Sequence, residues 1–160
     1  MYDTKNDLPA DVRRNTVELL NIRLADAIDL GAQAKQAHWN VKGPNFIALH
    51  ELFDSVAEHV EDQIDTIAER ITALGGIAHG TVAAAARTTS LKPYPEDITD
   101  GLQHVEALSS ALADFGAKVR KGIEQAARLG DADTSDLFTG ISRDTDKHLW
   151  FLEAHLHAKR

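Results

Sequence analysis

Residues 44–76 read PNFIALHELFDSVAEHVEDQIDTIAERITALGG, and their periodicity decides the fold. Leu49, Phe53, Val56, Val60, Ile64, Ile67, Ile71 and Leu74 recur at three- and four-residue steps, the pattern of a helix with one apolar face. Gly43-Pro44 breaks and restarts the chain ahead of it, proline being suited to a first helical turn, and Gly75-Gly76 ends it. Such a helix is roughly 45 Å long.

Further helices are predicted on either side. The first runs from about Leu8 to Trp39, with Val17, Leu20, Leu24 and Ile28 on one stripe and Leu19, Ile22 and Leu30 on another. Two apolar faces imply burial on both sides, by subunit contacts as well as by a core. A third helix begins near Thr99, a good N-cap, and carries Val105, Leu108, Leu112, Phe115 and Val119 until Gly130 stops it. The last starts near Asp133 and Thr134 and continues through Leu137, Ile141, Leu149, Leu152 and Leu156. Between helices two and three, Ile77 to Ile98 holds a short alanine-rich piece, Val82 to Arg87, and a turn-like Lys92-Pro93-Tyr94-Pro95. A mostly extended connector of this size reaches back along the second helix. The expectation is an all-α, ferritin-like four-helix bundle, with a long crossover carrying a short helix between helices two and three.

The second helix also carries chemistry. His38, just before it, and His50, Asp54, Asp65 and Glu69 along it are five potential metal ligands. His50–Asp54 and Asp65–Glu69 are both spaced i,i+4, one turn apart on a helix. Mixed imidazole and carboxylate donors suit divalent iron, manganese or zinc. Eleven residues separate Asp54 from Asp65, about 16 Å along a helix but close to three full turns around it, so the pairs share a face yet cannot share an ion. A two-fold axis at the helix midpoint lays an antiparallel copy alongside. It sets His50 and Asp54 of one chain against the other chain's Asp65 and Glu69, in two equivalent sites.

Composition bounds the alternatives. At 160 residues the chain is one domain, with short flexible termini expected at about 1–7 and 157–160. Its 17 basic and 25 acidic side chains give a formal charge of -8, which favours cations over DNA phosphates. Without cysteine it has no disulfide, thiolate site or thiol nucleophile. No signal-peptide pattern or membrane-spanning apolar run is present, so the expected location is the cytoplasm. The absence of Glu-x-x-His motifs argues against a di-iron centre within one bundle.

The segment Lys35-Gln36-Ala37-His38-Trp39-Asn40-Val41, with Gly43-Pro44-Asn45-Phe46 and His50 after it, resembles the Dps family of ferritin-like mini-cages. Asp65-x3-Glu69-Arg70 with Leu74-Gly75-Gly76, and Asp146-Lys147-x2-Trp150-Phe151, extend the resemblance over almost the whole chain. It implies a dodecamer built from dimers around a hollow core. It also implies ferroxidase centres between two-fold-related subunits, with His38, His50 and Asp54 from one subunit and Asp65 and Glu69 from its partner. There Fe(II) is oxidised to Fe(III), preferably by hydrogen peroxide, and stored as mineral; zinc and manganese are possible competitors. Hard carboxylates favour Fe(III) over Fe(II), and the imidazoles bind only when unprotonated, so activity should fall at acidic pH.

Other residues have two readings. Trp39 and Trp150 are either electron donors that intercept stray oxidants or aromatic anchors in the bundle core. Glu51, Ser55, Glu58 and Asp62 form a polar stripe that either nucleates mineral or is simply solvated. Asp131, Asp133 and Asp136 all suit a helix N-terminus; the resemblance places Asp133 and Asp136, and less so Asp131, at a three-fold pore that admits iron. Asp100–His104, Asp144–His148, His155 and His157 read as surface residues. The alternative function is DNA compaction, which in such relatives usually uses lysine-rich tails. Here the N-terminus has one lysine between two acids and the C-terminus only Lys159 and Arg160, so DNA binding near neutral pH is expected to be weak or absent.

Overall fold

The computed structural model describes residues 1–157. Five helices follow in order: α1 (Ala10–Asn40), α2 (Phe46–Ala73), α3 (Val82–Thr88), α4 (Gly101–Leu129) and α5 (Ala132–Leu156). α1 packs most extensively on α2, and α4 on α5, while α1 also touches α4 and α3, and α2 touches α5. The long crossover with its short helix α3 joins α2 to α4, as the spacing required. No helix among the described residues is long and apolar enough to cross a membrane.

The periodic positions form one core. Leu20 and Leu24 of α1, Phe53, Val56 and Ile67 of α2, Leu108 and Phe115 of α4, and Phe138 and Leu152 of α5 are all essentially inaccessible. Leu30, assigned to the far stripe of α1, is fully buried in this core, whereas Ile22 is 42% exposed.

Helix ends follow from local hydrogen bonding. The N–H of Gly76 donates to Ile71 O (2.9 Å) and that of Gly75 to Thr72 O (2.9 Å), a Schellman closure with Gly75 at φ +81°. A side chain at Gly75 would also strike the Tyr2 carbonyl. The Tyr2 N–H donates to Gly75 O at 2.7 Å, which lays the N-terminal segment over this turn. Of the C-terminal stretch expected to be flexible, residues 158–160 lie outside the described residues.

Three boundaries differ from expectation. Pro44 lies in the turn before α2 rather than in its first turn, with Phe46 N–H donating to Gly43 O (3.1 Å). Asp100, not Thr99, caps α4, accepting from the Leu102 and Gln103 N–H groups at 3.0 and 3.2 Å. Thr99 is otherwise engaged: its carbonyl accepts from Lys42 N–H at 2.8 Å, tying the crossover to the α1–α2 loop. Asp131 caps α5, accepting from Thr134 N–H at 3.0 Å, two residues earlier than Asp133.

The crossover is pinned by a polar seam on α1. Asp26 is fully buried; it accepts from Ser90 N–H (2.7 Å) and Ser90 Oγ (3.0 Å) and pairs with Arg23 at 3.0 Å. Asp29 accepts from Thr89 Oγ1 (2.7 Å), and Gln33 donates to Asp29 and to Lys92 O. Asp26→Ala leaves the Arg23 guanidinium buried without its nearest partner, at an expected cost of about 3 kcal/mol. Urea unfolding should show the lower midpoint; a midpoint equal to the parent's would remove Asp26 from this role.

Candidate metal centre

His38 sits in the last turns of α1, and His50 and Asp54 in the first turns of α2. The tight 41–45 loop folds these helix ends against each other, so residues twelve apart in sequence meet. His38 Nδ1 lies 2.8 Å from His50 O, and His50 Nδ1 lies 2.8 Å from His38 O. Because each carbonyl can only accept, each Nδ1–H donates. In a neutral ring this leaves the lone pair on Nε2, the arrangement that orients histidine ligands in metal sites. The rings stack with centroids 3.7 Å apart, and the Phe46 ring centre lies 5.1 Å from that of His50.

Asp54 completes the cluster, its Oδ1 lying 3.9 Å from His38 Nδ1. Lys35, one turn before His38, makes an ion pair with Asp54 that the sequence reading missed. The Lys35 hydrogen bond holds the Asp54 carboxyl below the ordinary carboxylate range, with weaker help from the two imidazoles and opposition from desolvation. The ammonium supplies a positive charge at this carboxylate.

Asp65 and Glu69 are exposed farther along α2. Their carboxylates make no hydrogen bond or ion pair among the described residues. The structure thus brings three of the five candidate ligands together and leaves the other two apart, facing solvent. No three His, Asp or Glu side chains among the described residues already converge on one ion. Beside the cluster runs a groove of about 780 Å³ between α1 and α2. Ile28, Ala32, Ile64 and Ala68 line it together with the charged Glu61 and Asp62.

A ferritin-like domain family matches residues 17–160. The DNA protection during starvation protein of Agrobacterium fabrum is 47% identical over 158 residues, covering 99% of this chain and 98% of the relative. The structure of Dps from Mycobacterium smegmatis superposes with a TM-score of 0.93 at 32% identity, covering 99% and 95% of the two chains. Dps from Vibrio cholerae O1, described as a member of a broad superfamily of ferritin-like diiron-carboxylate proteins, gives 0.90 at 26% identity and 98% of each chain. The chain belongs to the Dps family.

Within this Dps subunit the acids at the start of α5 divide by burial. Asp131 is 1% exposed, caps the helix, and pairs with Arg70 at 2.7 Å, so it is a structural residue. Asp133 and Asp136 are exposed, although Asp133 lies 3.6 Å from Arg70. Glu51, Ser55, Glu58 and Asp62 are all exposed along α2. Trp39 and Trp150 are 69% and 64% exposed, which excludes the reading of both as anchors in the core of this subunit.

Two histidines expected at the surface lie inside the bundle. His104 and His148 are buried, because the crossover and α2 cover them. His104 Nδ1 meets the Tyr94 hydroxyl at 2.7 Å, and burial raises the pKa of that tyrosine. His59, on α2 beside His148, carried no signal in sequence.

The division at α5 has a measurable consequence. Asp131→Ala removes a cap and a buried partner of Arg70, and should cost about 2 kcal/mol in urea unfolding. Asp133→Ala and Asp136→Ala should each stay within about 0.5 kcal/mol of the parent. Equal losses at all three would contradict this division.

Proposed function

We propose that the protein is a ferroxidase and iron store that removes Fe(II) and hydrogen peroxide together. The observation that carries the reading is the pairing of His38 with His50. Two imidazoles are locked in the tautomer that presents Nε2, beside an ionised Asp54, at one end of a helix whose other end offers Asp65 and Glu69 unpaired. A second chain lying antiparallel in the α1–α2 groove joins the two half-sites. The groove's apolar lining, with Ile22 and Trp39 exposed on α1 and Ile77 and Val82 on the crossover, gives that copy something to bury. Six such dimers form a closed shell of twelve.

Iron is the substrate. Its rise in charge on oxidation is stabilised by three carboxylates, while the two imidazoles add no charge of their own. Peroxide accepts two electrons, one from each of two Fe(II) ions, and with two protons leaves as water, so no hydroxyl radical is released. Asp133 and Asp136 line the passage that admits iron, and the exposed acids along α2 receive the ferric product. Trp39, beside His38, stands where stray oxidant would first be met. Zinc and manganese compete for the same donors.

Protection of DNA, the activity in the Agrobacterium relative's name, is achieved here by this chemistry and not by coating DNA. A formal charge of -8 per chain opposes contact with phosphates. Gel-shift measurements at sub-micromolar protein and physiological salt should show no retained DNA near neutral pH, and robust retention would overturn that part of the reading.

Replacing both His38 and His50 with alanine should leave assembly intact and slow peroxide-driven Fe(II) oxidation by about 100-fold or more in stopped-flow measurements. Unchanged kinetics would remove these histidines from the mechanism.

A further inference from the structure

His59 lies nine residues beyond His50, two and a half helical turns, and so leaves α2 on the side opposite to the His50–Asp54 pair. There it meets α5. His59 Nε2 stands 3.5 Å from Asp144 Oδ2, and its ring centre is 4.8 Å from that of His148 at an interplanar angle of 39°. The Asp144 contact is not aligned as a hydrogen bond. His59 Nε2 and His148 Nδ1 are both buried without a partner, and so are both amide atoms of Gln63, one turn along α2. His148 is only 8% exposed.

Four unpartnered polar atoms on three side chains of adjoining helices need an explanation. Each costs about 1–3 kcal/mol if left unsatisfied, and native proteins satisfy such atoms with protein groups, water or ions. The spacing favours an ion. Two donors each about 2.0–2.2 Å from a tetrahedral ion lie about 3.4 Å apart, and two ligating imidazoles then have ring centres about 5 Å apart. The His59–Asp144 and His59–His148 separations match both values.

We propose that His59, His148 and Asp144 form a second divalent-metal site at the α2–α5 seam, taking a first-row transition ion such as Zn(II) or Fe(II). The two rings already lie at a ligand-like separation, and Gln63 is buried one turn along α2 from His59. Asp144, more than half exposed and already at that separation from His59, has only to turn its carboxylate toward the ion; no three donors among the described residues yet converge. Burial, and after it the neighbouring His59 and Lys147, lower the pKa of His148, with Asp144 opposing them. The site shares no residue with the α1–α2 ligands and does not depend on their function.

The test uses the full-length chain with His38, His50, Asp54, Asp65 and Glu69 all replaced by alanine, so that only other sites bind. Equilibrium dialysis against Zn(II) should retain about one ion per chain at the seam. Adding Asp144→Asn, an exposed change that leaves folding alone, should weaken that ion about tenfold or more. Adding His59→Gln and His148→Gln should abolish it. Absence of retained zinc in the five-alanine chain would overturn the proposal, as would unaltered affinity after Asp144→Asn. Either failure would leave the ferroxidase reading untouched, because its ligands are absent from this experiment.

Discussion

An α-helix is a rod of fixed rise, and that rigidity governs the rest of this molecule. α2 holds His50 and Asp54 about 16 Å from Asp65 and Glu69, and no bend or rotamer closes such a gap. The three full turns between them keep both pairs on one face. A subunit built on this helix carries two half-sites and no whole one. On the proposed function, chemistry at these residues requires a second molecule, and association and activity become one property.

The packing of the bundle serves that helix. The tight 41–45 loop brings His38 onto the first turns of α2, where two reciprocal bonds to backbone carbonyls fix both rings. Neither ring leans on a carboxylate for its orientation, and Asp54 pairs with Lys35 instead. At the far end, Arg70 beside Glu69 is turned inward to the Asp131 cap of α5. The Glu69 carboxylate is then left without an intrachain cation. The His38–His50 end is thus fixed by backbone hydrogen bonds, and the Glu69 end is left open because the nearest positive charge is diverted.

What was legible in the sequence follows periodicity. The apolar steps along residues 49–74 and the glycines after them define α2 to within two residues, because core burial and left-handed caps have local signatures. The candidate ligand pairs His50–Asp54 and Asp65–Glu69 were legible as sharing one helix face for the same reason, being tied to helical spacing. Contacts between elements distant in sequence were not. Arg23, Asp26, Asp29 and Gln33 recur on one face of α1 as a polar stripe. Only the crossover lying against them shows that Asp26 is buried and bonded to Ser90. His59 and His148 sit one on each of two helices, and nothing local links positions 89 residues apart. Asp100 displaced Thr99 as a cap because the Thr99 carbonyl was taken by Lys42, a competition invisible to a propensity.

The claim that each centre is shared between two chains has a direct measurement. A chain with His38→Ala and His50→Ala is co-expressed in equal amounts with one bearing Asp65→Ala and Glu69→Ala, and Fe(II) oxidation by the mixed assembly is compared with that of each variant alone. With random pairing, half the dimers are mixed and each holds one intact site and one lacking both the histidine pair and the Asp65–Glu69 pair, so about a quarter of the parent's activity should return. Activity no higher than that of the separate variants, in assemblies shown to contain both chains, would mean that the two ends of α2 do not meet across subunits.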